Sequence, residues 1–310
     1  MPQRTGSPKS SRTPPRWLPP KVRSLLLLAA EVERLDVVDA DINDLELLEE
    51  AARRRGVTHI IHLAALQFPF CAADPIAGAR VNVQGTLTMF ELCRRLDIGR
   101  LVYASSAAVY GPRTHYSDEV LAADAELYPT SHYGVFKVAN EQAARVAWES
   151  HGVASVGLRP HSVYGPGRDQ GVTSKPTLAM IAAASGRPYR VDFGGAYQFQ
   201  FADDVAGWFI AAARAELPGA TVFSLPRTIG VSEIVAAIEE VEPASRGQIT
   251  FGERVLPFPS AFDGRPVEAA MGARPETVLA DGVGHTIACY RRALTQHKLD
   301  DAFLDRVLAA

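Results

Sequence analysis

The feature that most constrains the fold is a regular exchange of short apolar runs with helix-patterned segments. "THIIHLAA", "RLVYASSAAVYG" and "ASVGLRPHSVYG" read as buried strands, the last two running into loops. Between them lie "ARVNVQGTLTMFELCRRLDI" and "SHYGVFKVANEQAARVAWESHG", long segments with helical patterning. An earlier pair, "RLDVVDADI" and "DLELLEEAARRRG", reads as a strand and then a helix started by Asp44 and stopped by Gly56. Strands and helices alternating in this way build a parallel sheet covered on both faces. After Gly165 the pattern loosens. A loop, a helix and a small hairpin or strand precede the helix "ADDVAGWFIAAARA", the strand "TVFSL" and the helix "VSEIVAAIEEV". A Pro/Gly-rich stretch, "LPFPSAFDGRP", leads into a final helical segment, and no internal repeat is present.

Composition narrows the function classes. A chain of 310 residues, 47% apolar with a net charge of −3, supports a sizeable core and gives no electrostatic case for nucleic acid or a membrane surface. Cys71, Cys93 and Cys289 are far apart and lack metal-ligand spacing, which fits free thiols in a reducing compartment, with no metal. The run "LLLLAA" is too short to span a bilayer, and Glu31 and Glu33 follow it at once, so the expected location is cytoplasmic. Residues 1–23 are rich in Pro, Ser, Arg and Lys, with no acid before Glu31. The prolines oppose the amphipathic helix of a transit peptide, and residues 1–30 are expected to be a disordered or atypical tail.

Tyr133 and Lys137 stand four positions apart on a helical segment, so phenol and ammonium can point into one cleft. A tyrosine is a poor base at neutral pH, and a neighbouring cation lowers its pKa by favouring the phenolate. The same pattern also arises by chance on solvated helices. Upstream, Ser105 and Ser106 follow an apolar strand, where a parallel sheet delivers residues to its carboxyl edge. A serine there can hold a reacting oxygen, or it can simply cap the strand end. His62, inside an apolar strand, reads as a satisfied core residue.

The ordered series "DADIND", "HLAA", "VNVQGT", "VYASSAAVYG", "YGVFK", "LRPHSVYGPGR" and "DDVA" resembles the extended short-chain dehydrogenase/reductases of the NAD-dependent epimerase/dehydratase type, from about residue 33 nearly to the C-terminus. The resemblance implies an α/β fold: a Rossmann-like doubly wound parallel sheet over residues 31–165, N-terminally incomplete. A small substrate lobe over residues 166–310, with segments returning to the sheet, completes it. It implies Ser106, Tyr133 and Lys137 as the catalytic trio, Lys137 also lowering the tyrosine pKa and holding the nicotinamide ribose. Asp41 and Ile42 match the pair beside the adenine, and Leu63, Ala64 and Ala65 the backbone that skirts phosphates and ribose. Asn82 matches a polar residue behind that loop, and Pro160 and His161 the nicotinamide end. The implied cofactor is NAD or NADP, with NAD favoured. The implied partners are a carbohydrate-like small molecule and a second copy of the chain, docked through the two long helices.

Departures from the family pattern concern both ends of the site. The only glycine before Gly56 is Gly6, so no strand–glycine turn–helix for a pyrophosphate is recognisable. The expectation is a reading frame that begins too late, the alternative being a shortened relative with poor cofactor binding. Gly165, Gly167 and Gly171 in "YGPGRDQG" lack phosphate-loop spacing, and "TSKPT" does not read as a helix start. These glycines and Gly194–Gly195 read as loop and turn formers. Ala107 and Ala108 replace the acid pair of the family's dehydratases. Ser162 stands where nucleotide-sugar epimerases usually have Asn, and Tyr197 where they have a diphosphate-clamping Arg. Arg168 and Arg190 are the candidate substitutes. Ser106, Tyr133, Ser162, Arg168 and Tyr197 are therefore the expected substrate contacts. Two readings follow: an oxidoreductase or epimerase working at a hydroxyl or carbonyl carbon of a sugar-like substrate, or a cofactor-deficient relative that binds a metabolite or partner.

Overall fold

Asp44 and Gly56 bound the first described helix, as their residue types require. In α1 (Leu45–Arg55) the Asp44 side chain accepts from the Leu47 amide, and Gly56 closes the helix in the left-handed region at φ 59°. The computed structural model describes residues 35–309. The expectations for residues 1–30, and for the start of the reading frame, lie outside the described residues.

The stretch before α1 corrects the sequence reading. Residues 35–41 form no strand, and Leu35, Val37 and Val38 are exposed. A strand is stable only beside a hydrogen-bonding neighbour, and in the order 3-2-1-4 a third strand needs the second. No described strand stands there to receive it.

Among the described residues the main sheet has four strands in the order β1 (Ile60–His62), β2 (Arg100–Ala104), β3 (Ala154–Arg159) and β4 (Ala220–Ser224). All are parallel, with Ile61 beside Val102, Val102 beside Val156 and Val156 beside Thr221. Six longer helices accompany them: α2 (Gly85–Leu96), α3 (His132–His151), α4 (Lys175–Ser185), α5 (Ala202–Arg214), α6 (Val231–Val241) and α7 (Leu279–Thr295).

Strand alternation decides which helix covers which face. Leu101 and Tyr103 of β2 pack with Met89 and Phe90 of α2 and with Ala144 and Ala147 of α3. Val102 points the other way, into Val205, Trp208 and Phe209 of α5. The sheet is therefore doubly wound. A second core gathers Ala182, Ile238 and Ile287 of α4, α6 and α7 around Tyr164, Phe193, Tyr197 and Phe199.

Two local readings change. "ASVGLRPHSVYG" splits at Pro160, which has no N–H to donate. Beyond it Ser162–Tyr164 pairs with Phe199–Phe201 instead of with the main sheet. "TSKPT" does start a helix: a short turn over Val172–Ser174 leads into α4, whose first turn carries Pro176, where proline loses nothing. The small hairpin or strand expected near residue 190 is a strand, Tyr189–Val191, paired in parallel with Ile249–Phe251. Among the described residues no helix is long and apolar enough to cross a membrane.

Candidate active site

Helix α3 begins where Ser131 accepts from the Gly134 amide at 3.1 Å, and this start places Tyr133, Lys137 and Glu141 on one face over two turns. Gly134 lets the helix start approach the loop after β2. A Cβ at that position would lie 2.2 Å from the Ala108 carbonyl oxygen. The same loop carries Ser106, whose hydroxyl accepts from the Ala108 amide at 3.1 Å and stands near enough to the Tyr133 phenol to favour its ionised form. The buried Lys137 donates from Nζ to the Ala104 carbonyl at 2.6 Å, and its ammonium stands 5.6 Å from the centre of the Tyr133 ring. The structure thus brings Ser106, Tyr133 and Lys137 together at the carboxyl edge of β2.

Burial pushes the half-buried Tyr133 phenol up, while the nearby Ser106 hydroxyl and the Arg168 charge oppose that rise. Burial also lowers Lys137 to about 8, with Cys71 and Glu141 pulling it back up.

Behind the trio lies a network that the sequence reading did not find. The Ser105 hydroxyl donates to Glu141 Oε1 at 2.5 Å. Arg159 donates to the same carboxylate from Nε at 2.8 Å and from Nη2 at 2.7 Å. Its Nη1 reaches the Tyr110 hydroxyl and the Ala123 carbonyl, both at 2.6 Å. The available signal was Glu141, one turn beyond Lys137 on the same face.

On the cofactor side, Leu63 and Ala64 are exposed and Ala65 half-buried where the chain leaves β1. Asn82, buried, holds the end of that loop: its Oδ1 accepts from the Leu66 amide at 2.7 Å and its Nδ2 donates to the Leu66 carbonyl at 2.9 Å. Asp41 is exposed. The Asn43 amide donates to its carboxylate at 2.9 Å and holds its pKa below the usual range, with Arg80 at 3.5 Å adding to the effect. Ile42 packs against Gly85, where a Cβ would meet its side chain at 3.0 Å. The Pro160 carbonyl accepts from the Ala107 amide at 3.1 Å, tying the Ser106 loop to the end of β3.

Three of the expected contacts are engaged within the protein. His161 has both ring nitrogens occupied: Nε2 lies 3.0 Å from the Pro259 carbonyl and so carries the proton, leaving Nδ1 to accept from the Ser162 hydroxyl at 2.7 Å. Burial lowers it to about 4, so the ring is neutral. Ser162 is itself fully buried beneath this bond. Tyr197 is fully buried as well, its ring among Phe193, Phe199 and Phe258 and its hydroxyl accepting from the Leu256 amide at 2.6 Å. Both Ser162 and Tyr197 are thus enclosed by the protein, Tyr197 within the aromatic packing of the second core.

Arg168 does reach the site, donating from Nη1 to the Gln67 side chain at 2.9 Å, whereas Arg190 is exposed on its strand opposite Thr250. His62 is a core residue. The Thr86 hydroxyl donates to the Asn82 carbonyl at 2.7 Å, so the 3.1 Å contact from His62 Nε2 is completed by the imidazole proton.

Comparison with known proteins adds four findings. The model of the NAD dependent epimerase/dehydratase family matches residues 10–224. The chain is 27% identical over 283 residues to a UDP-glucose 4-epimerase of Azospirillum brasilense, covering 84% of this chain and 80% of that protein. The solved UDP-glucose 4-epimerase of Thermotoga maritima with UDP-glucose superposes with a TM-score of 0.73 at 20% identity, over 87% of this chain and 90% of that one. MoeE5 in complex with UDP-glucose and NAD superposes at 0.67 with 25% identity, over 83% and 86% of the two chains.

Proposed function

Because this chain belongs to the NAD dependent epimerase/dehydratase family, we propose that it is an NAD(P)-dependent oxidoreductase or epimerase acting at a hydroxyl- or carbonyl-bearing carbon of a sugar or sugar-like substrate. The observation that carries the reading is the meeting of Ser106, Tyr133 and Lys137 at the sheet edge where open α/β folds place their ligands.

The residues present fit a nicotinamide dinucleotide, NAD being favoured. Exposed Leu63 and Ala64 leave backbone open at the end of β1, and Asp41, held by Asn43 and Arg80, offers an exposed carboxylate to the adenosine end. Lys137, fixed on the Ala104 carbonyl, is placed to meet the nicotinamide ribose. The cofactor, when bound, supplies the hydride acceptor. Ser106 holds the substrate oxygen, and Tyr133 takes its proton as the carbon is oxidised. Arg168 and Lys137 stabilise the charge that then develops on the phenol.

Titration with NAD(H), followed by incubation of the NAD-bound protein with UDP-sugars and free sugars, tests this. Nicotinamide reduction that Tyr133→Phe abolishes supports it. Absent NAD binding, with Tyr133→Phe indistinguishable from the parent, overturns it in favour of a metabolite- or partner-binding relative. A cofactor retained through the whole cycle marks an epimerase, and a released one a dehydrogenase. Exposed Leu87 on α2 and Val135 and Val146 on α3 supply apolar surface for a homodimer, which sedimentation would show. The cytoplasm is the proposed compartment, in keeping with three buried cysteines that form no disulfide.

A further inference from the structure

Two successive residues at the end of β2 are pinned by two successive turns of α3. Lys137 Nζ donates to the Ala104 carbonyl at 2.6 Å, and one turn further along the helix Glu141 Oε1 accepts from the Ser105 hydroxyl at 2.5 Å. Ser106 comes next in the chain. Beyond it, the Ala107 amide donates to the Pro160 carbonyl at 3.1 Å, and the Tyr110 hydroxyl accepts from Arg159 Nη1 at 2.6 Å. The Ser106 hydroxyl, which accepts from the Ala108 amide at 3.1 Å, therefore sits between anchors on both sides.

Charge balance does not account for the bond from Ser105. A buried carboxylate is costly unless paired, but Arg159 already meets Glu141 at two points, 2.8 and 2.7 Å away. What the Ser105 bond adds is geometric. Arg159 ends β3 and Ser105 follows β2, so one carboxylate joins both strand ends to the helix that carries Tyr133 and Lys137. Ser105 is 3% and Glu141 6% exposed, so bulk water does not replace either partner. Reacting groups misplaced by about 1 Å can lose roughly 10²-fold in rate, which makes the placement of this strand end consequential.

We infer that Ser105 is a positioning residue for the reaction. Through its bond to Glu141 it fixes the stretch 104–106, so that the carbonyl holding Lys137 and the hydroxyl holding the substrate oxygen keep their places beside Tyr133. The inference rests on the proposed reaction centre, since Ser105 is given no contact with substrate or cofactor of its own.

The test compares the full-length parent, Ser105→Ala, the pair Glu141→Met/Arg159→Met, and all three changes together. One readout is NAD reduction over a panel of UDP-sugars and free sugars. The other is amide hydrogen exchange, followed by mass spectrometry. Ser105→Ala should lower kcat by roughly 10- to 100-fold, with KM and NAD affinity within about twofold of the parent. The Met pair removes the same bond from its other end, and it carries the test if Ser105→Ala folds poorly. Adding Ser105→Ala to that pair should cost no further kcat, because the hydroxyl has already lost its acceptor. Exchange over residues 104–111 should be roughly tenfold faster or more in Ser105→Ala and unchanged over α5. Parental kcat in Ser105→Ala, a kcat loss accompanied by equal losses in KM and NAD affinity, or additive losses in the combined variant each overturns the inference. A parent that binds NAD but reduces none of it over the panel sinks the proposed activity instead. Exchange over residues 104–111 then decides whether Ser105 fixes the strand end: faster exchange in Ser105→Ala upholds that role, and parental exchange ends it.

Discussion

Glu141 and Arg159 form a two-point ion pair sealed behind the candidate active site, each side chain only 4% exposed. Through Ser105, Tyr110 and Ala123 the pair ties helix α3 to the loop that carries Ser106 and to the end of β3. Buried pairs of this kind add little net stability over well-packed apolar residues, but losing one partner strands a charge. Glu141→Gln or Arg159→Met is therefore expected to cost about 3–5 kcal/mol, and the double change Glu141→Met/Arg159→Met to recover much of that loss. Urea unfolding of the four proteins checks this. Additive losses in the double variant would contradict it.

Lys137 makes stability depend on alkaline pH. Burial lowers its pKa from 10.5 to about 8, so between those values the unfolded chain holds a proton that the folded chain has released. Stability from this group accordingly rises as pH increases from about 8 towards 10.5, by roughly 3 kcal/mol. The parent-minus-variant difference for Lys137→Met, followed by denaturant unfolding, should change by that amount across the window. A difference that stays flat would mean that Lys137 titrates as if in water.

His62 acts at the other end of the pH scale. Burial, then Lys137, lower its pKa from 6.5 to about 4, so the folded state resists protonation. Its contribution is present above pH 6.5 and is lost as pH falls towards 4. Between pH 7 and pH 5 the loss should be about 2 kcal/mol beyond that of His62→Gln. Equal acid sensitivity in the two proteins would place the imidazole in a wetter site than the one described.

Gly134 tests how closely α3 must approach the serine loop. An added methyl would sit 2.2 Å from the Ala108 carbonyl oxygen, a contact that only backbone movement can relieve. Gly134→Ala should destabilise the fold by about 1–3 kcal/mol despite alanine's better helix propensity. It should also weaken the Ser106–Tyr133 contact. Thermal unfolding that matches the parent would show that the loop yields freely.

What the sequence disclosed was local. Ser131 and Gly152 bound α3 by their own chemistry, and the apolar runs of β2 and β3 mark a parallel sheet without any partner being known. "RLDVVDADI" shows the limit, because strand pattern is a property of one segment and a strand is a property of two. Long-range bonds were equally hidden: Arg159 meets Glu141 across 18 positions and Arg168 meets Gln67 across 101. Tyr197 was read from its place in a motif, yet the aromatic residues around it decide that it is buried. The trio was legible because two of its members share a helix face and the third ends a strand.

The central claim is that Tyr133 exchanges a proton while a bound nicotinamide is reduced. The most direct measurement is the absorbance of reduced nicotinamide in the NAD-bound protein after addition of a panel of free sugars and UDP-sugars, for the parent and for Tyr133→Phe. The account predicts reduction in the parent and a loss of roughly 10²–10⁴ in rate in Tyr133→Phe, with NAD affinity unchanged. Equal rates in the two proteins, or no reduction in either while NAD is bound, would contradict it.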